Sequence, residues 1–460
     1  MQKMLAVWVG LFLCLTAQAQ YNLGIANSNY SGIQGARVNP GVTAGSPLKW
    51  EVNGLSVDVL YDNTFVYTPK GAVPAFGFKS LLNGIVDNQH YATHYHPDDP
   101  DKRYQFTLST EVLGPSFRLS LGGQQSIGLT FAARGYGNIR NIPGTTAENA
   151  WAYLKEGDLW NRSLSDNSTR LNTMGWLQYG LNYSAILFDD GTNQWKAGIA
   201  LNYLQALVAA YVRNTHLNYT LDSTQISFAN SSVDYGRTDY DSYRNIGGYH
   251  GLNHGHGFGV DLGVVYVHAA NTREPEDYDY RLGLSVMDIG AIDFNRNAAA
   301  FHLQTSGGVF DHWNQQALMS NASIDKTLSA VFYRGDSSAS QTAGHFTMAL
   351  PTTISVQGDY RVTTHYYVNA AIVKGLGHGD HPGVVQPDIY SVTPRYESRW
   401  WDVSVPLSLL YYGTWRARVG LAVRAGYLFF GGDAPVGLLS LGNMQGVDVY
   451  AGVRFFVFKH

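Results

Sequence analysis

The sequence is poor in charge, holds one cysteine and contains no long apolar run. Asp, Glu, Lys and Arg make up 14% of its 460 residues, against about 25% in ordinary soluble proteins. Low charge combined with 31 Tyr, 20 Phe and 10 Trp excludes a disordered chain, because disorder goes with high charge and few aromatics. No lysine-rich segment occurs, and at a net charge of −4 the chain lacks the basic footprint that nucleic-acid binding demands. Beyond the N-terminal leader there is no apolar stretch of about 18 residues, the length a membrane-crossing helix needs. The lone cysteine, Cys14, lies in that leader. Once the leader is removed, no thiol remains for a disulfide, a thiolate metal site or a nucleophile.

What stands at the start is an export signal. Lys3 supplies a short basic region, residues 4–15 are nearly all apolar, and Ala17-Gln18-Ala19 has the small-x-small form that signal peptidase cuts. Residues 1–19 are expected to be removed, with cleavage before Gln20. Cys14 does not read as a lipid attachment site, because bulky Leu13 and Leu15 flank it.

The rest of the chain alternates. Tyr104, Phe106 and Leu108 are interleaved with Gln105, Thr107 and Ser109; after Gly114-Pro115, Phe117, Leu119 and Leu121 take over, then Ile127, Leu129 and Phe131. Residues 177–185 and 195–203 repeat the pattern around an Asp189-Asp190-Gly191 hairpin turn. So do residues 258–266, 280–286, 401–411, 415–429 and 447–458. Period-two alternation is the signature of a strand with one apolar and one polar face.

Soluble strands usually run about five or six residues, whereas membrane-spanning strands need about nine to eleven and carry aromatic girdles. Trp401 to Tyr411 and Trp415 to Phe429 begin and end on aromatics on their apolar face, while the other face carries Arg, Asp, Ser and Gly. That combination predicts an all-β fold, a transmembrane antiparallel β-barrel, closed because open edges leave backbone groups unpaired in hydrocarbon. About twelve strands are plain. Weak segments at 217–228 and 299–303 would raise the count toward an even number, and about fourteen strands are expected.

Some stretches do not alternate. Residues 20–47, rich in Gly, Asn and Ser, precede the barrel proper (48–460) and are expected to fold into the lumen as a plug or hatch. Residues 146–166, with Ala147, Ala150, Trp151 and Leu154 at helical spacing, predict a short helix in a long loop. Another helical piece is expected between Trp313 and Phe332. The loops at 86–102 and 234–256 are polar and bear histidines. No separate soluble domain is expected.

Ser28-Asn29-Tyr30-Ser31-Gly32-Ile33 followed by Asn39-Pro40 resembles the N-terminal segment of Gram-negative outer-membrane barrels related to the FadL-like fatty-acid transporter and PorV-like groups, and a secreted barrel family of unknown function more closely still. Gly257-Phe258-Gly259-Val260-Asp261-Leu262-Gly263 with Tyr266, Asp288-Ile289-Gly290, Phe430-Gly431-Gly432-Asp433 and Tyr450-Ala451-Gly452 extend the resemblance over nearly the whole mature chain. In the fatty-acid transporter group an Asn-Pro-Ala segment belongs to a hatch. Here Gly41 replaces the alanine, so the resemblance implies only Asn39 and Pro40 as hatch residues. It also implies residence in outer-membrane lipid and insertion by the barrel-assembly machinery, with Phe456 and Phe458 standing for the aromatic that commonly closes such chains.

Enzyme motifs are missing. There is no Gly-x-Ser-x-Gly, His-Glu-x-x-His, Gly-x-x-x-x-Gly-Lys or intact Gly-x-Gly-x-x-Gly. Gly255-His256-Gly257-Phe258-Gly259 reads as small lumen-facing residues of a strand. His90, His94 and His96 with Asp98, Asp99 and Asp101, and His250, His254 and His256, read as solvated loops in preference to metal sites. No cofactor is expected.

Arg416, Arg418 and Arg424 share the polar face of one strand, with Asp402, Asp448 and Arg454 on its neighbours. Guanidinium groups there would make a carboxylate or anion site, or a cross-strand ion network bracing the wall; the acids close by favour the network. Two functions remain in view, with an enzyme disfavoured by the absent motifs. The FadL-like resemblance implies passage of a hydrophobic or amphipathic small molecule. The PorV-like resemblance implies a non-transporting structural or docking barrel for a secretion or surface complex.

Overall fold

The computed structural model describes residues 22–69, 93–95, 99, 102–152, 154, 157–239, 253–268, 276–313, 321–411, 413–432 and 443–459. The leader with its cleavage site, His90, His96, Asp98, Asp101, His250 and Asp433 lie outside the described residues.

Two short helical turns, α1 (Leu23–Ala26) and α2 (Ile33–Ala36), and a 3-10 turn at Pro40–Thr43 come first. The strands follow as β1 (Leu48–Asn63), β2 (Arg103–Leu113, resumed as Ser116–Leu121), β3 (Gln125–Pro143), β4 (Arg170–Asp189), β5 (Asn193–Leu221) and β6 (Gln225–Thr238). Next are β7 (Gly255–His268), β8 (Tyr280–Phe294), β9 (Ala298–Asp311) and β10 (Phe346–Ala349, resumed as Thr353–Arg361). The last are β11 (Tyr366–Gly375), β12 (Asp388–Glu397), β13 (Trp401–Ser404, resumed as Leu407–Tyr411), β14 (Trp415–Val419, resumed as Leu421–Ala425), β15 (Leu428–Gly432) and β16 (Gly446–Phe458). Helices α3 (Gly144–Trp151) and α4 (Asn321–Phe332) lie in connections.

Every ladder in the ring is antiparallel, and β1 pairs with β16, for example Val57 with Ala451, so the sheet closes on itself. The order around it is β1-β2-β3-β4-β5-β7-β8-β10-β11-β12-β13-β14-β15-β16. Among the described residues, fourteen strands therefore form the ring, as the alternation predicts. Closure removes the edge that would strand N–H and C=O groups.

The weak segments do form strands, but β6 and β9 are not part of the ring. β6 pairs with the second half of β5 and with β9, beyond the level at which Gly255 of β7 meets Ala206 of β5. Helix α4 packs on this projecting sheet, where Val233, Leu303 and Phe332 are buried together. Residues 415–429, expected as one strand, form two members of the ring. Gly426 takes φ +58 and turns the chain between β14 and β15, so Phe429 points inward and is buried while Trp415 faces out. The helix expected over 146–166 is confined to α3, and Leu164–Asp166 pairs with β5 instead.

Outward positions are apolar and exposed: Phe258 is 66% accessible, Leu129 59%, Trp415 59% and Trp401 57%. Inward positions on the same strands are polar and buried, as with Asp402, Ser404 and Arg424. A soluble protein would reverse this, since apolar surface left in water is unfavourable by about 25 cal/mol per Å². One end of the ring has short turns, such as Gly122-Gly123 and Asp190-Gly191; the other carries the long connections between β1 and β2, β3 and β4, and β8 and β10.

Candidate functional site

Residues 22–47 run inside the ring and are nearly all buried. Small residues and Asn-rich turns cannot sustain a long helix, which leaves backbone groups without internal partners. The wall supplies them. Glu397 Oε1 accepts from Asn29 N (3.0 Å) and Glu51 Oε2 from Ile33 N (2.9 Å). Arg281 donates to Asn27 O (3.0 Å), Arg454 to Ser31 O (2.6 Å) and Ser285 to Val38 O (2.6 Å). Ser28 donates to Asp402 (2.9 Å), and Tyr30 to Glu276 (3.1 Å). Burial first, then the negative charges of Glu276 and Glu397, pushes the Tyr30 hydroxyl far above its ordinary range, so it stays a donor.

Asn39 and Pro40 sit against the wall. Asn39 Nδ2 donates to Val264 O (3.2 Å), Leu284 O (3.3 Å) and Gln357 Oε1 (3.2 Å), while its Oδ1 accepts from Gly41 N (2.9 Å) and caps the 3-10 turn that Pro40 opens. The approach is possible because the wall is glycine at Gly198 and Gly263. A Cβ at Gly198 would strike the backbone of Pro40 and Gly41, and one at Gly263 would strike Asn39 and Pro40.

The six charges singled out in the sequence all face the lumen, and each has partners. Asp402 and Arg424 are register neighbours on β13 and β14 and form two hydrogen bonds of 2.5 and 2.6 Å. Arg418 pairs with Asp62 and lies 3.9 Å from Asp448; Arg416 lies 3.6 Å from Asp62 and donates to Asn63 O. Arg454 pairs with Glu51 at 3.1 Å. With their guanidinium groups bound to acids, these arginines brace the wall and the N-terminal segment.

Other lumen charges were not read from the sequence. Arg395 binds Asp359 through two bonds of 2.7 and 2.8 Å and Glu397 at 2.7 Å, with Arg281 also on Asp359. Their signal was alternation, Arg395 and Glu397 around Tyr396, broken by Pro394. Arg37 of the N-terminal segment pairs with Glu111. Arg134 on β3 lies 3.3 Å from Glu111 and grips Asp288 on β8 through bonds of 2.6 and 2.8 Å.

These last residues border a cavity of about 70 Å³ between the N-terminal segment and the upper lumen. Above it, towards the long connections, the lumen turns apolar: Tyr136, Met174, Trp176, Leu204, Phe294 and Met348 belong to one buried cluster. The connection between β11 and β12 covers this cluster, with Val384 packed in it and Val385 O accepting from Asn138. Arg134 stacks 5.0 Å from the Trp176 ring and so joins the polar and apolar levels.

The histidines are dispersed. His94 stands 3.7 Å from Glu148, His254 bonds to Arg296 O at 2.8 Å, and His256 lies on β7. Among the described residues no three His, Cys, Asp or Glu side chains converge as metal ligands would.

Residues 72–433 match the model of a family described as "Family of unknown function (DUF5723)". No curated protein matches the sequence. Solved structures similar to this chain include a Pseudomonas aeruginosa FadL homologue (10% identity, 97% of this chain and 99% of that one, TM-score 0.44). The Ralstonia pickettii toluene transporter TbuX (11%, 97% and 99%, 0.41) and the Pseudomonas putida toluene transporter TodX (9%, 96% and 98%, 0.42) are also similar.

Proposed function

The chain belongs to the DUF5723 family, a family of unknown function, and we propose that it is an exported outer-membrane β-barrel that passes a hydrophobic or amphipathic small molecule, with residues 20–47 as its plug and Asn39 and Pro40 as hatch residues. The observation that carries this reading is the layering of the lumen. An apolar cluster around Trp176 and Phe294 lies inside the wall on the long-connection side, directly above a polar plug. A barrel that served only as a scaffold would have no need of a greasy interior over a polar stopper. Short turns face the periplasm in bacterial barrels and long loops face outward, which orients the apolar level towards the outside. The plug is held by hydrogen bonds and ion pairs and by small, separate apolar contacts with the wall, made by Leu23, Ile25, Tyr30 and Ile33. After export and removal of residues 1–19, the barrel-assembly machinery would insert the ring into outer-membrane lipid.

A docking role is the second reading, favoured by the sheet of β5, β6 and β9 with α4, which projects past the ring. Uptake decides between them. Gram-negative cells expressing the barrel are compared with cells lacking it for entry of Nile red, an uncharged hydrophobe, and of a hydrophilic dye of similar size. Faster Nile red entry alone supports passage of hydrophobes. No change in either dye refutes it and turns the search to partners of the projecting sheet.

A further inference from the structure

We infer that the lumen selects amphiphiles by the sign of their polar end, accepting an amine and refusing a carboxylate. The inference rests on the passage reading above and names its substrate class.

The cavity below the apolar cluster holds four acids, Asp58, Glu111, Asp261 and Asp288, against two bases, Arg37 and Arg134, a formal excess of two negative charges. Neither base is available to an anion. Arg37 is engaged with both oxygens of Glu111. Arg134 spends one nitrogen on Asp288 and Gln178, a second on Asp288, and turns its third to Glu111. A carboxylate entering here would meet the net negative field with no free guanidinium to receive it.

A second observation points the same way. Asn22 is 5% exposed and lines the cavity from the plug. Its amide nitrogen donates to Gln34 Oε1 (3.2 Å), which fixes the amide's orientation, and its Oδ1 has no hydrogen-bond donor among the described residues. A buried acceptor without a donor is costly, and the group that would satisfy it is an N–H. The apolar cluster lies immediately above, joined to the cavity through Arg134 and Tyr136, which belong to both levels. An alkyl chain would pack at the upper level while its ammonium group reached Asn22 Oδ1 within the net negative field of the four acids. Desolvated charge of the wrong sign is the strongest discriminator such a site can apply.

The test is calorimetric titration of the folded mature protein in non-ionic detergent with octylamine, octanol and octanoate, three probes that share one chain. Octylamine is expected to bind at least ten-fold more tightly than octanoate. In Glu111→Gln, which removes one acid and its pairing with Arg37, that ratio is expected to fall at least ten-fold; Asp58→Asn, which removes another of the four acids, gives the same test should Glu111→Gln fail to fold. Octanoate binding as well as or better than octylamine would overturn the inference. So would binding of octanol with equal affinities for the two charged probes, which leaves the passage reading standing. Binding of none of the three would sink both.

Discussion

Arg134 on β3 and Asp288 on β8 are joined by two parallel hydrogen bonds of 2.6 and 2.8 Å although three strands, β4, β5 and β7, lie between them around the wall. The pair therefore crosses the lumen. It does so at a bulge where Asp288 takes φ +55 and its N–H is held by Asp261 at 2.6 Å. A fork-to-fork pair of this kind fixes geometry as well as charge.

Removing one member strands the other in a buried site. Arg134→Ala or Asp288→Ala is expected to destabilise the barrel by about 3–5 kcal/mol, and the double variant by less than the sum, as partners in contact are coupled. Urea unfolding in detergent, followed by the loss of heat-modifiable migration on gels, measures both. Additive effects would mean that the two side chains do not act as a pair.

Gly198→Ala and Gly263→Ala probe the seat of residues 22–47, the proposed plug. A Cβ at either site collides with Asn39, Pro40 or Gly41, and the wall cannot retreat without breaking its ladders. Both variants are expected to fold with the plug displaced and to raise conductance in planar bilayers. Conductance equal to that of the parent would show that the segment tolerates the shift.

Asn39→Leu keeps bulk and removes the amide. Val264 O, Leu284 O and Gln357 Oε1 each lose a donor, and the Gly41 N–H loses its cap. At about 1 kcal/mol for each such bond, proteolysis within the plug is expected to accelerate while the β-sheet spectrum stays the same. Unchanged proteolysis would contradict the proposal that Asn39 is a hatch residue.

Asp402→Ala leaves Arg424 buried with one carboxylate fewer, and a cost of about 3–5 kcal/mol is expected. Exchanging the two residues, Asp402→Arg with Arg424→Asp, keeps the pair and is expected to restore part of the loss. An anion site at Arg424 would instead show itself as stabilisation of the parent by acetate, which the pairing with Asp402 argues against.

Lys459 follows the last strand and donates to Gly123 O at 3.4 Å. Burial, with Arg118 adding to it, pulls its ammonium down to about 8, against about 10.4 in a free chain. The folded state therefore binds fewer protons between those values, and this residue's contribution to stability rises with pH across that window. Lys459→Met is expected to be more stable than the parent below pH 8, with the advantage shrinking towards pH 10. A constant difference in unfolding midpoint would contradict it.

Long unbroken strands were legible because each alternates without interruption, as in 177–185 and 195–203. The charges of β1 and β12 were not. A bulge at Gly54 flips the parity of β1, so that Glu51 and Asn53 face inward before it and Asp58 and Asp62 after it. Pro394 obscures β12, and Pro351 divides β10 in the same way. Asn53 itself is explained only by its neighbour: its amide donates to Leu113 O and Gly114 O, where the break before Pro115 interrupts the ladder.

The sequence by itself determined that the chain forms alternating strands with an apolar exterior and a polar interior, and hence that the sheet must close. Alternation is local, carried by a two-residue repeat that needs no knowledge of the rest of the chain. Tertiary structure decided which strands belong to the ring, since β6 and β9 form strands as the others do yet pair beyond it. It also decided which charges meet. Arg134 and Asp288 are 154 residues apart, and what brings them together is the circumference of a closed fourteen-strand ring, a property of all its ladders at once and of no single segment.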